Sequence, residues 1–314
     1  MILCCGEALI DMIPCDSRSG DLAFTPKTGG SVFNTAMGLG RLGADVGLFT
    51  GISQDRFGTL LRQDLMQSNV SLTHVKHSTR PTTLAFVHLD DGQASYSFFD
   101  EQSAGRMLAI SDLPEDLGSV STLFFGGISL VSEPGADSLL ALAKREAAEK
   151  LIMVDPNIRA DFIDDEPAYR ARLTEIVSVA DIVKISDQDL NWVSEGNEPI
   201  EEKAQKLLDL GPSLVLLTLG DKGAIAFSKS FGQIHVPSES VDVVDTVGAG
   251  DSFNAGFLQA LWALGYASKS GFQTLDRDAL HSCMAQATRV AGFTVGQQGA
   301  AMPWKDQIEA LLPA

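Results

Sequence analysis

The sequence predicts an α/β fold in which a central, mostly parallel β-sheet carries helices on both faces, with a small additional β-sheet. The main indication is that short apolar runs alternate with helical patterns along most of the 314 residues, as in parallel sheets with covered faces. A second indication is residues 82–99, which have the pattern of an antiparallel hairpin. Hydrophobic residues make up 45% of the chain, so one large domain can bury its core without disulfides.

The expected elements of the central sheet follow one another in a regular order. Strands are predicted at residues 2–10, 46–50, 122–125, 151–154, 182–185 and 214–218, each of them a short apolar run. Helices are predicted at residues 31–42, 55–67, 136–150 and 200–210, and Gly43 ends the first of them. Because ligands of such sheets bind at the carboxyl ends of the strands, we expect the site in the loops that follow the strands.

The hairpin segment predicts a second sheet. Its two strand-like runs are separated by Asp90-Asp91-Gly92, and Asp-Gly between such runs is a strong hairpin signal. Hairpins are uncommon in a parallel sheet, so residues 11–25 and 80–101 are predicted to form a small separate β-layer. We interpret this layer as a lid or an interface, and its exposed strand edges favour a homodimer formed lid to lid.

The composition excludes several classes of function. The formal net charge is -18, and a strongly acidic surface repels both nucleic acid and anionic lipid. The N-terminus lacks the basic region of a secretory signal, and no uncharged apolar stretch is long enough to span a bilayer. The four cysteines form no C-x-x-C pair, which favours free thiols in a reducing compartment. We therefore expect a cytoplasmic protein without nucleic-acid or membrane partners.

Two common nucleotide-binding motifs can be tested directly. The sequence contains no G-x-x-x-x-G-K-[ST], so it is not a P-loop protein. A G-x-G-x-x-G occurs at Gly38, Gly40 and Gly43, but it closes a predicted helix and precedes a strand. The dinucleotide fingerprint instead follows a strand and opens a helix. We interpret these glycines as close helix packing and a helix stop, and a NAD enzyme stays only as an alternative.

The most informative segment is residues 245–251, with the sequence DTVGAGD, which leads directly into an apolar helix. Gly248, Ala249 and Gly250 leave backbone amides uncovered at the helix start, and such amides bind anions with help from the helix dipole. Asp251 in the first turn would lie beside the bound phosphate. The dipole alone favours an aspartate at that place, but it does not explain the small residues or the second aspartate six positions earlier.

Residues 245–251 resemble the second signature of the ribokinase, or PfkB, family of carbohydrate kinases. The first signature of that family, a Gly-Gly pair followed by an asparagine in a helix, is similar to Gly29-Gly30 and Asn34. Residues 155–159 (DPNIR) and 218–223 (TLGDKG) resemble two further family blocks, and residues 6–11 and 99–106 are most similar to bacterial fructokinases. The blocks cover nearly the whole chain, so the resemblance implies one ribokinase-like kinase domain over residues 1–314.

The resemblance implies a role for each matching residue on the sugar side. Asp251 would take the proton from a sugar hydroxyl as that hydroxyl attacks the γ-phosphate of ATP. The backbone of Gly248, Ala249 and Gly250 would stabilise charge on the transferred phosphoryl group. The residues that would hold the sugar are Asp11, Gly29, Gly30, Asn34, Arg106, Arg159 and Asp251, and Glu133 is a further candidate.

The same resemblance implies a nucleotide side. Residues that would border ATP are Lys184, Ser186, Thr218, Gly220, Gly223, Gly248 and Gly250. Mg²⁺ would bridge the phosphates, mainly through water and phosphate oxygens. Many relatives carry Asn-x-x-Glu where this chain has Ser186-Asp187-Gln188-Asp189, so the shorter Asp189 would hold Mg²⁺ through water. A monovalent cation such as K⁺ is expected beside the anion-binding amides, with ligands from Asp245, Val247, Thr294 and Gly299.

Together these expectations describe an ATP-dependent kinase that phosphorylates a primary hydroxyl of a free ketose, with fructose as the first substrate to test. Alternatives within the class are 2-keto-3-deoxygluconate, ribose, tagatose and nucleosides, which pocket shape would distinguish. A sugar-binding protein without turnover is the alternative from another class, and the intact Asp251 argues against it. Closure of the lid over the sugar would exclude water and limit ATP hydrolysis.

Overall fold

The computed structural model describes residues 1–90 and 93–311 of the chain. The strands are β1 Ile2–Cys5, β2 Leu9–Asp16, β3 Leu22–Gly29, β4 Val46–Phe49, β5 Gly51–Ser53, β6 Lys76–Ser78, β7 Thr83–Asp90, β8 Gln93–Phe99, β9 Thr122–Gly126, β10 Leu151–Asp155, β11 Ile182–Ser186, β12 Leu214–Thr218, β13 Ala224–Ser228 and β14 Gly232–Val236. The helices are α1 Ser31–Arg41, α2 Arg56–Gln67, α3 Gly135–Glu146, α4 Glu166–Val179, α5 Asp187–Val193, α6 Ile200–Leu210, α7 Ala249–Ala263, α8 Lys269–Phe272, α9 Arg277–Val295 and α10 Lys305–Glu309.

The central sheet has the strand order β14-β13-β12-β11-β10-β9-β1-β4. The six strands from β12 to β4 are parallel, and β13 and β14 add an antiparallel hairpin at one edge. The predicted α/β fold with a mostly parallel sheet is therefore confirmed. The edge hairpin was not predicted, because residues 229–231 between its strands contain none of the Asn-Gly or Asp-Gly signals that mark a tight turn.

Alternate residues of the central strands face two separate apolar cores, as the two-residue period of a strand requires. In β10, Leu151 and Met153 pack on the side of α1, α7 and α9. Ile152 and Val154 of the same strand pack on the side of α3, α4 and α6. Burial on both faces fixes the register of the sheet. Because the six strands are parallel, their carboxyl ends lie at one edge of it.

The predicted first strand over residues 2–10 is wrong in its extent, because two strands cover it. β1 belongs to the central sheet, β2 belongs to the smaller sheet, and Gly6, Glu7 and Ala8 turn the chain between them. A Cβ on Gly6 would lie 2.5 Å from the Val32 Cγ2 atom, so the turn is pressed against α1. The break was hidden in the sequence because all three residues of the turn are as buried as the strands around them.

The smaller sheet predicted from residues 11–25 and 80–101 is present, with the strand order β3-β2-β7-β8. β2 pairs antiparallel with β3 and parallel with β7, and β7 pairs antiparallel with β8 as the hairpin signal predicted. Asp91 and Gly92 of the predicted turn lie outside the described residues. The sheet stands beside the carboxyl-end edge of the central sheet, because β2 and β3 connect directly to β1 and α1.

The G-x-G-x-x-G segment has a packing explanation. A Cβ on Gly38 would lie 2.7 Å from the Cβ atom of Ala255 in α7, and a Cβ on Gly40 would collide with the Ser68 carbonyl. Gly43 follows the end of α1. These contacts support the interpretation as close helix packing and a helix stop.

Two further expectations concern the composition. All four cysteines are free, and Cys15 is the exposed one. Across residues 1–90 and 93–311, no helix combines the length and the apolar character needed to cross a bilayer.

Candidate active site

A cavity of about 330 Å³ opens between the carboxyl-end edge of the central sheet and the smaller sheet. Its volume lies within the range of small-molecule sites. It is lined by Glu7, Leu9, Asp11, Gly30, Ser31, Asn34, Tyr96, Phe98, Ile128, Asn157, Arg159, Phe162, Thr246, Val247, Gly248, Gly250 and Asp251. Segments that are far apart in the sequence, including both predicted signature regions, therefore meet in one place.

The loop before α7 has the backbone that anion binding requires. Gly248 is left-handed, with φ at 79°, and a Cβ on it would lie 2.7 Å from the Ala300 Cβ atom, so only glycine fits. Ala249 and Gly250 then begin the 15-residue helix α7. Among the described residues the Gly250 N–H has no backbone acceptor. A free amide at the positive end of a helix is suited to bind a phosphoryl group.

Asp251 lies in the first turn of α7, buried, with both carboxylate oxygens engaged by α1. Ser31 Oγ donates to Oδ1 at 2.7 Å, and Asn34 Nδ2 donates to Oδ2 at 2.9 Å. Burial raises the pKa of Asp251 to about 6, against the lowering effect of these two hydrogen bonds. The carboxylate is therefore ionised at neutral pH, held in one orientation, and still has lone pairs free to accept a proton.

Lys184 supplies a positive charge beneath the anion-binding amides. Its Nζ lies 2.9 Å from Asp155 Oδ2, in a nearly fully buried ion pair, and Asn254 Nδ2 donates to the same oxygen at 2.7 Å. A Cβ on Gly250 would lie 3.0 Å from Lys184 Nζ. The ammonium group therefore lies next to the start of α7, and its predicted contact with a phosphate stays a prediction.

Of the sugar-side candidates, Asp11, Gly30 and Asn34 line the cavity, whereas Gly29 at the end of β3 does not. A Cβ on Gly29 would collide with the Asp11 carboxylate, so this glycine leaves the space that Asp11 occupies. Burial raises the pKa of Asp11 to about 6. The Asn34 Oδ1 atom is buried without a partner among the described residues. An unpaired acceptor beside a cavity suits a ligand hydroxyl, because a buried polar atom is costly to leave unbonded.

Aromatic side chains close the cavity from the smaller sheet. Tyr96 and Phe98 reach in from β8, and Phe98 packs edge to face on Phe162 with ring centroids 4.5 Å apart. Arg159 lines the same wall, and its guanidinium donates to the Ile158 carbonyl at 3.0 Å. The cavity thus combines carboxylates, amides and a guanidinium with an apolar roof, which is the composition of a polar small-molecule site.

Two further sugar-side candidates do not line this cavity. Arg106 pairs with Asp100 at 2.9 Å and lines a smaller neighbouring cavity that shares Glu7 and Ile128 as a wall. Glu133 pairs with Arg172 at 2.7 Å and does not line the 330 Å³ cavity. Both assignments relied on motif position alone, and sequence position does not show which side of a loop a side chain faces.

Among the cavity residues that were not predicted, two connect to Asp251 or to the start of α1 by hydrogen bonds. Ser31 precedes Asn34 by three positions and therefore lies on the same helix face, which is a signal that could have been used. Glu7 lies in the turn between β1 and β2, and its carboxylate accepts from Ser31 N at 2.8 Å and from Ser129 N at 3.3 Å. Only its position inside an apolar run, where a carboxylate needs a reason to be buried, could have pointed to it.

The predicted nucleotide-side residues lie at the ends of two neighbouring strands. Ser186 of β11 pairs in register with Thr218 of β12, and Ser186 Oγ caps α5 by accepting from Asp189 N at 3.0 Å. Burial and the nearby Asp155 charge raise the pKa of the Asp189 carboxyl. Gly220 is in open space, whereas a Cβ on Gly223 would collide with the Val236 carbonyl. The glycine at 223 is therefore explained by packing against β14.

The predicted cation ligands are brought close together. Asp245 accepts from Val247 N at 3.0 Å through Oδ1 and from Gly299 N at 2.9 Å through Oδ2, so it joins the loop before α7 to the loop after α9. Thr294 lies in the last turn of α9, and its Oγ1 is within donating distance of the Val290 carbonyl at 3.2 Å and of the Ala301 carbonyl in the second loop at 3.3 Å. Across the described residues no group of three acidic, histidine or cysteine side chains forms a metal cluster, so a cation here would depend on backbone carbonyls.

Comparison with known proteins accounts for this combination of anion-binding loop, buried carboxylate and polar cavity. Residues 1–307 match the model of the pfkB family carbohydrate kinases. The chain belongs to this family. It is 46% identical over 283 residues to a fructokinase of Rhizobium leguminosarum bv. trifolii, covering 90% of this chain and 86% of that one. It is 31% identical to a fructokinase of Klebsiella pneumoniae, over 98% of this chain and 97% of that one.

Solved structures of the family agree over almost the whole carbohydrate kinase chain. A fructokinase from Xylella fastidiosa with bound ATP has a TM-score of 0.90 at 26% identity, covering 99% of this chain and 97% of that one. A fructokinase from Vibrio cholerae O395 in a fructose-, ADP- and calcium-bound form has a TM-score of 0.86 at 27% identity, covering 99% and 98%. The arrangement of the two sheets is thus the arrangement of the family.

The raised pKa values of Asp251 and Asp11 predict the pH dependence of the kinase. Both carboxyls have pKa values of about 6 and lie in one cavity, and both are expected to act in the ionised form. We expect kcat/KM for the sugar to fall as the pH is lowered through about 6, with a slope approaching two protons. In Asp11→Asn the remaining slope should be one proton. A kcat/KM that is flat between about pH 5 and 7 would contradict both roles.

Proposed function

We propose that the protein is an ATP-dependent fructokinase that transfers the γ-phosphoryl group to a primary hydroxyl of free fructose. The observation that carries the proposal is the position of Asp251. It is a buried carboxylate with a pKa of about 6, directly after the anion-binding turn and in the same cavity as Asp11 and Asn34. A hydroxyl held by the latter two would lie between a base and a phosphate site. The fructokinase names of the relatives support fructose as the substrate.

The reaction follows from this arrangement. The sugar hydroxyl donates its proton to Asp251 while its oxygen forms a bond to the γ-phosphorus, and the bond from that phosphorus to the bridging oxygen of ADP breaks. Because the transition state is loose, positioning and charge stabilisation contribute more than base strength. The Gly250 amide and the Lys184 ammonium would stabilise the negative charge on a phosphoryl group bound at the start of α7. Arg159 lies in the cavity wall and would bind phosphate or sugar oxygens.

The cation assignments form part of the proposal. Mg²⁺ bound to the phosphates would neutralise their charge, and Asp189 would hold it through water. The negative charge of Asp155 raises the pKa of Asp189, and two neighbouring carboxylates favour a cation at this place. K⁺ would lie between the loops that Asp245 joins, with carbonyl ligands near Val247, Thr294 and Gly299. Thr218, Gly220 and Ser186 would border the nucleotide from the ends of β11 and β12. Free sugar and ATP as substrates support a location in the cytoplasm.

A substrate panel tests this function. ADP formation with Mg-ATP should be stimulated strongly by fructose and weakly by ribose, tagatose, nucleosides and 2-keto-3-deoxygluconate. The last is the sharpest competitor, because the cavity contains Arg159, which could bind its carboxylate. K⁺ should support a higher rate than tetramethylammonium, and EDTA should abolish activity. No sugar-stimulated ADP with any member would contradict a kinase, and preference for the sugar acid would contradict fructose.

The smaller sheet is proposed to act as the lid and as the dimer interface. Strand alternation puts Asp11 and Phe98 on its cavity face and Phe86 and Phe99 on its outer face. On the outer face Phe99 is 56% exposed and Leu22 is 79% exposed. Large exposed apolar side chains on one face of a sheet are typical of an interface, and a second copy offers the same apolar face.

We expect the protein to sediment as a dimer and Phe99→Glu to sediment as a monomer, because a charge would be placed in the buried interface. The matched control is Ile110→Glu, at a residue that is 65% exposed elsewhere on the surface, and it should leave the dimer intact. Sedimentation velocity at several protein concentrations measures the result. A wild-type monomer, or dissociation by the control alone, would show that this face is not the interface.

A further inference from the structure

Glu7 is a buried carboxylate that joins three segments around the cavity. It lies in the turn after β1, and its Oε1 accepts from the backbone amides of Ser31 at 2.8 Å and Val32 at 3.4 Å, the first two residues of α1. Its Oε2 accepts from Ser129 N at 3.3 Å, in the turn after β9. Glu7 therefore caps α1 from outside the helix, because Gly30 at the cap position has no side chain to do so.

The surroundings of Glu7 are shaped to admit its side chain. A Cβ on Gly30 would lie 3.0 Å from Glu7 Cγ, and a Cβ on Gly127 would collide with the Glu7 carboxylate. Burial raises the pKa of Glu7, and its hydrogen bonds to backbone amides oppose that rise. A buried carboxylate that satisfies several backbone amides, with glycines on two sides of it, is held in one position.

Ser31 connects this carboxylate to the catalytic base. Its backbone N–H is bonded to Glu7, while its side-chain Oγ donates to Asp251 Oδ1 at 2.7 Å. A displacement of the first turn of α1 would therefore move the Ser31 hydroxyl relative to Asp251.

We propose that Glu7 is a positioning residue for the phosphoryl-transfer step, which fixes the start of α1 so that Ser31 holds Asp251 in its productive orientation. The inference rests on the proposed kinase function, and it assigns Glu7 no contact with the reacting atoms. It explains why a carboxylate is buried in the turn between the two sheets, a place where an apolar residue would cost less.

The charges that face Asp251 determine the sign of the expected pH effect. Asp155 of β10 raises its pKa and Lys184 of β11 lowers it, while α1 contributes the uncharged donors Ser31 and Asn34. Asp11 and Arg159 share the cavity. Removing the Ser31 donor removes a hydrogen bond to the ionised form, so the pKa of Asp251 should rise. The acidic limb of kcat/KM should move to higher pH by about half a unit to one unit.

The test is a double-mutant cycle with Glu7→Asp and Ser31→Ala in the full-length protein. Glu7→Asp keeps the charge but is one methylene too short to reach both amides. Each single variant should lower kcat about tenfold, the size of one hydrogen bond to a charged group, with KM for ATP little changed. If Glu7 acts through Ser31, the double variant should also lose about tenfold, and the acidic limb should shift equally in all three.

Controls separate positioning from general stability. Asp276→Ala removes the side chain that caps α9 by accepting from Ala279 N at 2.8 Å, and it should lower the melting temperature without changing kcat or the pH profile. Ser31→Thr keeps the hydroxyl and should restore most of the loss seen in Ser31→Ala. If Glu7→Asp does not fold, the proposal can still be overturned by Ser31→Ala. An unchanged kcat and an unchanged acidic limb of kcat/KM in that variant would contradict it.

Each remaining outcome is decisive. Losses that multiply to about a hundredfold in the double variant would show that Glu7 acts independently of Ser31, which contradicts the proposal. If the wild-type protein phosphorylates no sugar, the proposed function is refuted instead. The substrate panel shows this outcome before any variant is made. The proposal is supported if the wild type is active, the double variant loses no more kcat than either single variant, and the acidic limb of kcat/KM shifts equally in all three variants.

Discussion

Asp251→Asn should lose about 10²–10⁴-fold in turnover, the contribution of a positioned general base. The amide keeps the shape of the carboxylate and can still bond to Asn34, but it cannot accept the hydroxyl proton. Steady-state ADP formation with saturating sugar and Mg-ATP measures the loss. Sugar and nucleotide affinities, measured by calorimetry, should stay within a few-fold of the wild type because the pocket keeps its shape.

The same substitution should stabilise the fold. The pKa of Asp251 rises from 3.8 to about 6 on folding, so the folded state binds the proton more tightly and stability falls as the pH rises through that window. At neutral pH the ionised carboxylate costs about 3 kcal/mol, since each pKa unit is 1.36 kcal/mol. Asp251→Asn removes that cost, and its melting temperature should exceed that of the wild type.

The matched control is Asp278→Asn, which changes a first-turn aspartate of another helix, α9. If Asp251 were only a favourable charge at a helix start, the two variants would behave alike, with a small loss of stability and full activity. Opposite behaviour, with the active-site variant inactive and more stable, identifies a functional carboxylate. Persistent turnover in Asp251→Asn would show that another group takes the proton.

Lys184→Met is expected to damage both activity and stability. It removes the positive charge next to Gly250, and loss of a preorganised group of this kind costs about 10²–10³-fold in kcat. It also leaves Asp155 as an unpaired buried charge, because the two side chains form a nearly fully buried ion pair. Breaking such a pair from one side costs about 3–5 kcal/mol, which urea unfolding would measure.

A second substitution separates these two effects. In Lys184→Met with Asp155→Asn, the buried charge is gone and the new amide can still accept from Asn254, so stability should return to near the wild-type value. Activity should not return, because the charge on the phosphate side is still missing. If the double variant recovers turnover, Lys184 serves the fold alone and the anion site does not depend on it.

Much of this fold could be predicted because its elements are separated by clear signals. Alternating apolar runs predicted the parallel sheet, and the Asp-Gly signal between two strand-like runs predicted the second sheet. The division of residues 2–10 between two sheets was not predicted, because apolar residues continue on both sides of Gly6 and Glu7 and the run does not show that its two halves pair with different strands. Strand pairing is a tertiary property, and a short run does not specify its neighbour.

The site shows the same limit at the level of side chains. Asp11, Asn34 and Asp251 were predicted from motifs and do line one cavity, since each motif fixes both a residue and its place on an element. Arg106 also lay in a matching segment, yet its guanidinium turns to Asp100. Ser31 and Glu7 belong to no pattern of their own, and their importance arises from what they contact across 220 and 24 residues of chain.

One consequence concerns changing the sugar that the enzyme accepts. Helix α1 carries Ser31 and Asn34, and the side chains of both donate a hydrogen bond to Asp251. A library that varies α1 to change the sugar selectivity would therefore also disturb Asp251, and most of its variants should lose turnover. Tyr96 and Phe98 reach the same cavity from β8 and make none of the hydrogen bonds to Asp251. Directed evolution toward other ketoses should start from these two positions, where the shape of the pocket can change while the chemistry is left intact.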